Sequence, residues 1–262
     1  YRQQLKQHPV SDEAKQYLKQ RGVTAEIAKQ FVIGFAPPGW DSLVSGLKAD
    51  NALKQQLIET GMLIDKSGGK TYDRFRHRIM FPIRDGRGRV VAFGGRVLRA
   101  EDLPKYLNSP ETTLFHKTDT LYGLYELRQS RQAFNQILVV EGYMDVVSLA
   151  QFGVHNAVAT LGTAITESHL NRLFQQVNEV VFCFDGDEAG KKAAWKAMEL
   201  SLPKIQGTQS VRFLFLAAGE DPDSTIRKEG VAGFQARVNH ALTLSDFLFK
   251  GLIGQLPMPV ST

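Results

Sequence analysis

Four short apolar runs in the second half of the chain, at 137–140, 156–159, 180–184 and 211–216, most constrain its fold. Runs without polar alternation suit strands covered on both faces, which is the situation in parallel sheets. Between them, at 144–152, 167–177 and 189–200, the apolar residues return at helical spacing. Strand–helix alternation of this kind predicts a small doubly wound α/β domain. In such sheets ligands bind beyond the carboxyl ends of the strands, so the residues after each run carry the functional information.

The first half has a different texture. Ser11 is placed to cap a helix stopping at Gly22, and Thr24 to cap a second reaching about Phe31. Pro37-Pro38-Gly39 is a hard turn, Asp41 opens another helical stretch, and one more precedes Gly61. Ser67-Gly68-Gly69 reads as a loop. From Arg78 the pattern becomes β-rich, with RIMFPIR and RVVAFGGRVL joined through Asp85-Gly86-Arg87-Gly88 as a hairpin. Gly94-Gly95 inside the second strand predicts a bulge or a close backbone approach. The tail from about Thr225 reads as helical. The chain begins at Tyr1 and closes on the loop-like Leu256-Pro257-Met258-Pro259, and is expected to be part of a longer protein. The expected division is a basic α+β part over 1–134, the α/β domain over 135–218, and an acidic loop with the start of a helical part over 219–262.

Charge separates along the same boundary. Residues 1–134 hold 22 basic and 14 acidic side chains, whereas 135–262 hold 10 and 13. The stretch 70–105 is densest, with 10 basic residues against 4 acidic. A cationic block beside a mildly acidic one fits polyanion binding next to a cation site. No apolar run approaches the roughly 20 residues of a membrane span and no signal-peptide pattern opens the chain, so no membrane partner is expected. With one cysteine, Cys183, a disulfide framework is excluded and a reducing cytoplasm is the expected compartment. The missing thiolates and the scattered histidines leave no zinc site to expect in this fragment.

Acids follow three of the four runs. Glu141-Gly142 closes the first, Asp185-Gly186-Asp187 the third, and Glu220-Asp221-Pro222-Asp223 follows the fourth. All fall on one edge of the predicted sheet, where carboxylates repel unless a cation sits among them. Oxygen donors without Cys or His favour a hard divalent ion, Mg²⁺ or else Mn²⁺. Asp185 and Asp187, two apart, face the same way in extended chain. Each acid also has a plainer reading: Asp185 or Asp187 as a helix cap, Asp145 and Glu188 as first-turn residues favoured by the helix dipole, and Asp221 and Asp223 as turn formers. Glu141, after a wholly apolar run, has no obvious helix to cap.

At these residues the chain resembles a known family. EGYMD, ATLGTA and FDGDEAG, in that order and at strand ends, are similar to the Toprim domain of primases, topoisomerases and some nucleases. The preceding DRFRHRIMFPIRDGRGRVVAFGGRVL, PKYLNSPETTLFHK and LYGLYE resemble the RNA polymerase core of bacterial DnaG-type primases. The likeness runs from about Ser11 through the tail. It implies a Toprim-type parallel sheet flanked by helices, preceded by a mixed α+β basic subdomain and followed by a short helical tail. It also implies synthesis of a nascent RNA primer on a single-stranded DNA template from ribonucleoside triphosphates and divalent metal.

Carried over by motif, Glu141, Asp185 and Asp187 match the metal-binding catalytic acids, and Asp221 and Asp223 a further acidic pair. Arg96, Lys105 and Lys117, with Tyr106 and Asn108 beside them, match positions that hold triphosphate or nucleic-acid backbone. Gly142 and Gly186 remove bulk where a phosphate approaches. Arg21 matches a template-binding position, and Arg74 and Arg76 belong to the basic stretch expected on nucleic acid. Trp40 and Tyr72 are aromatics able to stack on bases, although core packing is the expected fate of Phe75 and of Trp40. The amino-terminal zinc module and the helicase-binding region of that family are absent, so a replicative helicase is expected to bind only outside this chain. Two rival readings exist: a Toprim nuclease, open on the acids alone but leaving the basic strands unexplained, and a catalytically silent single-stranded DNA-binding module, which leaves the strand-end acids without a purpose.

Overall fold

The computed structural model describes residues 1–66, 70–99, 101–130 and 132–253. Ser67-Gly68-Gly69 and the closing stretch around 256–259, both expected as loops, lie outside the described residues. Two compact units divide the chain, residues 1–129 and the part from Ser130 onward.

The first unit opens with three short helices, α1 (Arg2–Gln7), α2 (Asp12–Gln20) and α3 (Ala25–Gln30). Thr24 accepts the Ile27 N–H at 3.4 Å and so caps α3. Ser11 occupies the N-cap of α2, but its hydroxyl makes no capping bond. There follow β1 (Gly34–Ala36), α4 (Ser42–Leu47), α5 (Asn51–Glu59), β2 (Leu63–Lys66), β3 (Lys70–Asp73), β4 (Arg78–Arg84), β5 (Val90–Val97), β6 (Tyr106–Asn108) and α6 (Leu124–Gln129). The sheet β1-β4-β5-β6 is antiparallel throughout, and β2 with β3 forms a separate ribbon. Asp85-Gly86-Arg87-Gly88 does join β4 to β5. Asp85 Oδ1 accepts the N–H groups of Arg87 and Arg89 at 2.9 and 3.0 Å. The register shift falls at Ile83/Arg84, not at Gly94-Gly95. Gly95 is instead a close approach, since a Cβ there would stand 2.8 Å from Phe75 Cδ1.

The second unit contains β7 (Gln136–Val140), α7 (Tyr143–Gln151), β8 (Ala157–Ala159), α8 (Glu167–Phe174), β9 (Glu179–Phe184), α9 (Glu188–Ser201), β10 (Ser210–Phe215), α10 (Pro222–Asn239), β11 (Leu242–Thr243) and α11 (Leu244–Ile253). Its sheet runs β11-β10-β9-β7-β8, with the four predicted strands parallel and β11 antiparallel at the edge. The helical tail is therefore interrupted twice, by β11 and by Gly230, whose φ of 70° breaks α10. Phe182 stacks on Phe213 at 5.9 Å, and Phe213 on Phe247 of α11 at 4.7 Å. Burying side chains of this size stabilises a fold by ~1.5–3 kcal/mol each. No helix among the described residues is long and apolar enough to cross a membrane.

Strand order places the site. From β7 the chain moves to β8 on one side, then returns to build β9 and β10 on the other. The reversal lies between β7 and β9, the crevice where open α/β sheets bind ligands. Val139 pairs with Phe182 across it, so Glu141 and Asp185 emerge as neighbours just past the paired ends.

Candidate active site and nucleic-acid interface

In the second unit the acids after β7, β9 and β10 gather at this crevice. Glu141 keeps much of its surface in water. Its carboxyl is nonetheless raised above the ordinary value, by partial desolvation first and then by the charges of Asp185 and Asp187. The Asp185 carboxyl is raised as well, by burial first, then Asp221, then Asp187. Asp145 goes furthest: burial, with the Asp221 charge next, pushes it up to about 8 against the pull of the Gly142 N–H. Beside burial, the like charges of Asp185, Asp187 and Asp221 make Glu141, Asp145 and Asp185 harder to ionise.

The capping alternative also holds for part of the set. Asp187 is the N-cap of α9 and accepts the Gly190 N–H at 2.7 Å. Asp221 caps α10, accepting the Ser224 N–H at 2.6 Å. Asp223 is 3 % exposed, and its Oδ1 accepts from Ser148 Oγ and Arg227 Nε, both at 2.5 Å. Asp145 is the N3 residue of a capping box and takes the Gly142 N–H at 2.9 Å. The Gly142 amide, expected beside a phosphate, is therefore committed to Asp145. Glu141 and Asp185 cap no helix, and two tight packings hold Asp185. A Cβ on Gly186 would stand 2.1 Å from the Leu216 carbonyl oxygen, and one on Gly190 would stand 2.2 Å from the Asp185 carbonyl oxygen. Both contacts are possible only without a side chain.

Glu141, Asp185 and Asp187 line a cleft of about 530 Å³, with Thr160, Thr163 and Lys192 on its walls. Sequence reasoning passed over Lys192, because a lysine on an exposed helix face carries no signal of its own. No group of three or more His, Cys, Asp or Glu side chains among the described residues is arranged as a ready metal cage. Magnesium, however, is typically held by one or two carboxylates together with waters and substrate phosphates. Adjacent oxygen-only donors, with the Glu141 and Asp185 carboxyls raised, fit that use.

In the first unit several of the predicted cations lie against aromatic rings, in two groups. Arg96 is 8 % exposed and belongs to β5, paired with Tyr106 of β6. Its guanidinium lies 4.6 Å from the Tyr17 ring centroid and 5.7 Å from that of Tyr106, and donates to the Tyr106 hydroxyl at 3.2 Å. Arg21 reaches the same Tyr17 ring at 5.8 Å, and Lys105 the Tyr106 ring at 5.9 Å. Arg21 and Arg96 thus meet over Tyr17, a residue the sequence did not single out, and Arg96 and Lys105 over Tyr106. Asn108 pairs with Gly94 on β5. Lys117 lies in the loop after β6, where its backbone N–H donates to Glu111 at 3.0 Å.

The second group corrects an expectation. Phe75 is core, at 1 % exposure, but Trp40 is 63 % exposed. Arg76 lies over it at 4.2 Å and over Tyr72 at 5.3 Å, and Lys66 covers Tyr72 at 5.4 Å. The guanidinium gives the indole a partner that core burial otherwise supplies. Arg74 turns elsewhere, donating from Nε to the Gly61 carbonyl at 2.8 Å.

Comparison with known proteins covers both units. The family model "DNA primase catalytic core, N-terminal domain" matches residues 1–128, and "Toprim domain" matches 135–214. A curated DNA primase of Pseudomonas aeruginosa is 56 % identical over 255 residues, 97 % of this chain and 38 % of that protein. The chain thus spans about two fifths of the length of such relatives. The solved Escherichia coli primase catalytic core superposes with a TM-score of 0.93 at 53 % identity, covering 98 % of this chain and 82 % of that one. A DnaG primase catalytic domain bound to single-stranded DNA gives the same score and identity, over 98 % and 83 %.

Proposed function

The chain belongs to the DNA primase catalytic-core family, and on that premise we propose that it synthesises short RNA primers on single-stranded DNA from ribonucleoside triphosphates. The observation carrying this reading is the gathering of Glu141, Asp185 and Asp187 in one cleft at the switch point between β7 and β9, with the Glu141 and Asp185 carboxyls raised. A Toprim domain in a primase core implies dependence on a divalent metal, and we take that metal to be Mg²⁺.

Primer extension joins a 3′-hydroxyl to the α-phosphorus of a nucleoside triphosphate, with pyrophosphate leaving. A bound divalent ion would neutralise the phosphate oxygens. Asp185, and the Asp187 oxygen not used in capping α9, would hold it. Glu141 fits either as a further ligand or as acceptor of the hydroxyl proton. Its raised carboxyl, still open to water, brings its affinity for that proton nearer to what the transfer needs. Asp221 contributes negative charge beside Asp185, and Asp223 fixes the start of α10 against α7 through Ser148. Both are retained as outer members of the metal-binding set.

The first unit would hold the polyanions. Arg96 is ordered between two tyrosines, which fixes the planar donor for a triphosphate or a backbone phosphate; Lys105, Lys117 and Asn108 would add to it, and Arg21 would hold the template. Exposed Trp40, flanked by Arg76 and Tyr72, gives an unpaired base a surface to stack on. The division into 1–134, 135–218 and 219–262 is kept as a functional one, phosphate binding, metal chemistry and tail.

The test is single-stranded DNA, four ribonucleotides and Mg²⁺ supplied to wild type and Asp185→Asn. Wild type should make RNA that disappears with EDTA. The variant should keep the melting temperature and DNA affinity while losing synthesis. Retained synthesis in a folded Asp185→Asn overturns the assignment, and cleaved DNA in place of RNA would identify a nuclease.

A further inference from the structure

In the first unit α1, α2 and α3 enclose a second cleft of about 530 Å³. Its floor is wholly aliphatic, made by Leu5, Leu18, Val23, Ala28 and Ile33. Around the rim stand Arg2, Lys6, Lys15 and Lys29, with no acidic residue in the lining. Lys15 pairs with Asp12 at 3.1 Å, whereas Arg2, Lys6 and Lys29 have no ion pair among the described residues and are exposed. Helix α1 buries none of its residues, so Leu5 faces a recess that the chain leaves unfilled.

We propose that this cleft docks a short acidic segment of a partner protein, seating its large aliphatic side chains on the floor and its carboxylates against the cationic rim. The rim selects for an anion by charge complementarity. The floor then separates the kinds of anion. Single-stranded nucleic acid is held through stacking on aromatic side chains, and this lining has none. A membrane surface engages apolar residues that protrude from a polar helix face, whereas Leu18, Val23 and Ile33 are recessed. A recess of aliphatic side chains ringed by cations matches an amphipathic acidic peptide. This site uses none of the residues proposed for primer synthesis.

The probe is a fluorescein-labelled synthetic peptide carrying Glu and Leu at helical spacing, titrated by anisotropy. Saturable binding should weaken about tenfold or more in Lys6→Glu/Lys29→Glu, equivalent to roughly 1.4 kcal/mol. Lys19→Glu, an exposed reversal on α2 outside the cleft, should leave it unchanged. Leu5→Asp should abolish it, and primer synthesis should persist in all three variants. Polyglutamate, oligo-dT and phosphatidylglycerol vesicles serve as comparators. Absence of saturable peptide binding overturns the proposal. So does equal binding of any comparator with the same sensitivity to the Lys6/Lys29 reversal.

Discussion

A single methyl group placed on Gly186 tests whether the acids work as a positioned set. The Cβ of Gly186→Ala would meet the Leu216 carbonyl oxygen at 2.1 Å, with Ala217 C and Ala218 N at 3.0 and 3.1 Å. A relaxed C···O contact is about 3.3 Å, so the turn or the strand end beside it must yield by about 1.2 Å. All three atoms are backbone, so no side chain can swing aside. Retreat toward α9 is blocked too, because the Asp185 carbonyl already rests against Gly190. Overpacking of this kind costs ~1–3 kcal/mol, a loss of a few degrees in melting temperature rather than unfolding. A shift near 1 Å at reacting groups costs ~100-fold in rate. Primer synthesis should therefore fall far more than stability, while single-stranded DNA affinity is unchanged. Gly46→Ala, whose Cβ would meet only Gln4 Nε2 at 3.6 Å, is the matched control and should be neutral. A folded Gly186→Ala enzyme with wild-type turnover refutes the argument that the backbone of this turn sets the acids.

Three further outcomes follow from other parts of the molecule. Trp40→Ala should weaken single-stranded DNA binding by ~1–3 kcal/mol, and Arg76→Ala should reduce the salt dependence of the affinity; unchanged titrations would remove this face from the template path. The Glu13 carboxyl is held below its usual 4.5, first by its hydrogen bond from Arg99 and also by His77. Its contribution to stability is then complete above about pH 4.5 and lost as pH falls through the lower folded value. The melting-temperature gap between wild type and Glu13→Gln should narrow below that pH, and a gap that widens contradicts the sign. Burial pushes the Cys183 thiol up, so iodoacetamide should leave it unmodified in the native protein and label it after denaturation, as mass spectrometry reads directly.

The parallel strands were legible because each is an uninterrupted apolar run, and the acids because they interrupt those runs at the same end. The hairpin was legible from Asp85 and the glycines beside it. What stayed hidden depends on partners distant in sequence. Strands β1 and β6 have three residues each and exist by pairing with β4 and β5. Asp223 reads as a turn residue until Ser148, 75 positions earlier, meets it from α7. Trp40 carries the composition of a core residue, and only Arg76 lying over it explains how it stays on the surface. The capping duty of Asp187 was among the readings the sequence left open, whereas Asp221 read as a turn former and its cap on α10 is seen only at the helix start.

The two residues of β11 guard against self-association. By pairing antiparallel with Arg212 and Phe213, Leu242 and Thr243 close the flank of β10 that would otherwise offer its amides to another molecule. Arg212 reinforces the closure, donating to the carbonyls of Asn239 and Ala241. A fragment cut at 241 would keep every acid of the candidate site yet leave that flank bare, and should lose solubility before it loses chemistry. The smallest well-behaved version of the unit that carries these acids therefore extends beyond them, through β11 and on to Phe247, which stacks on Phe213.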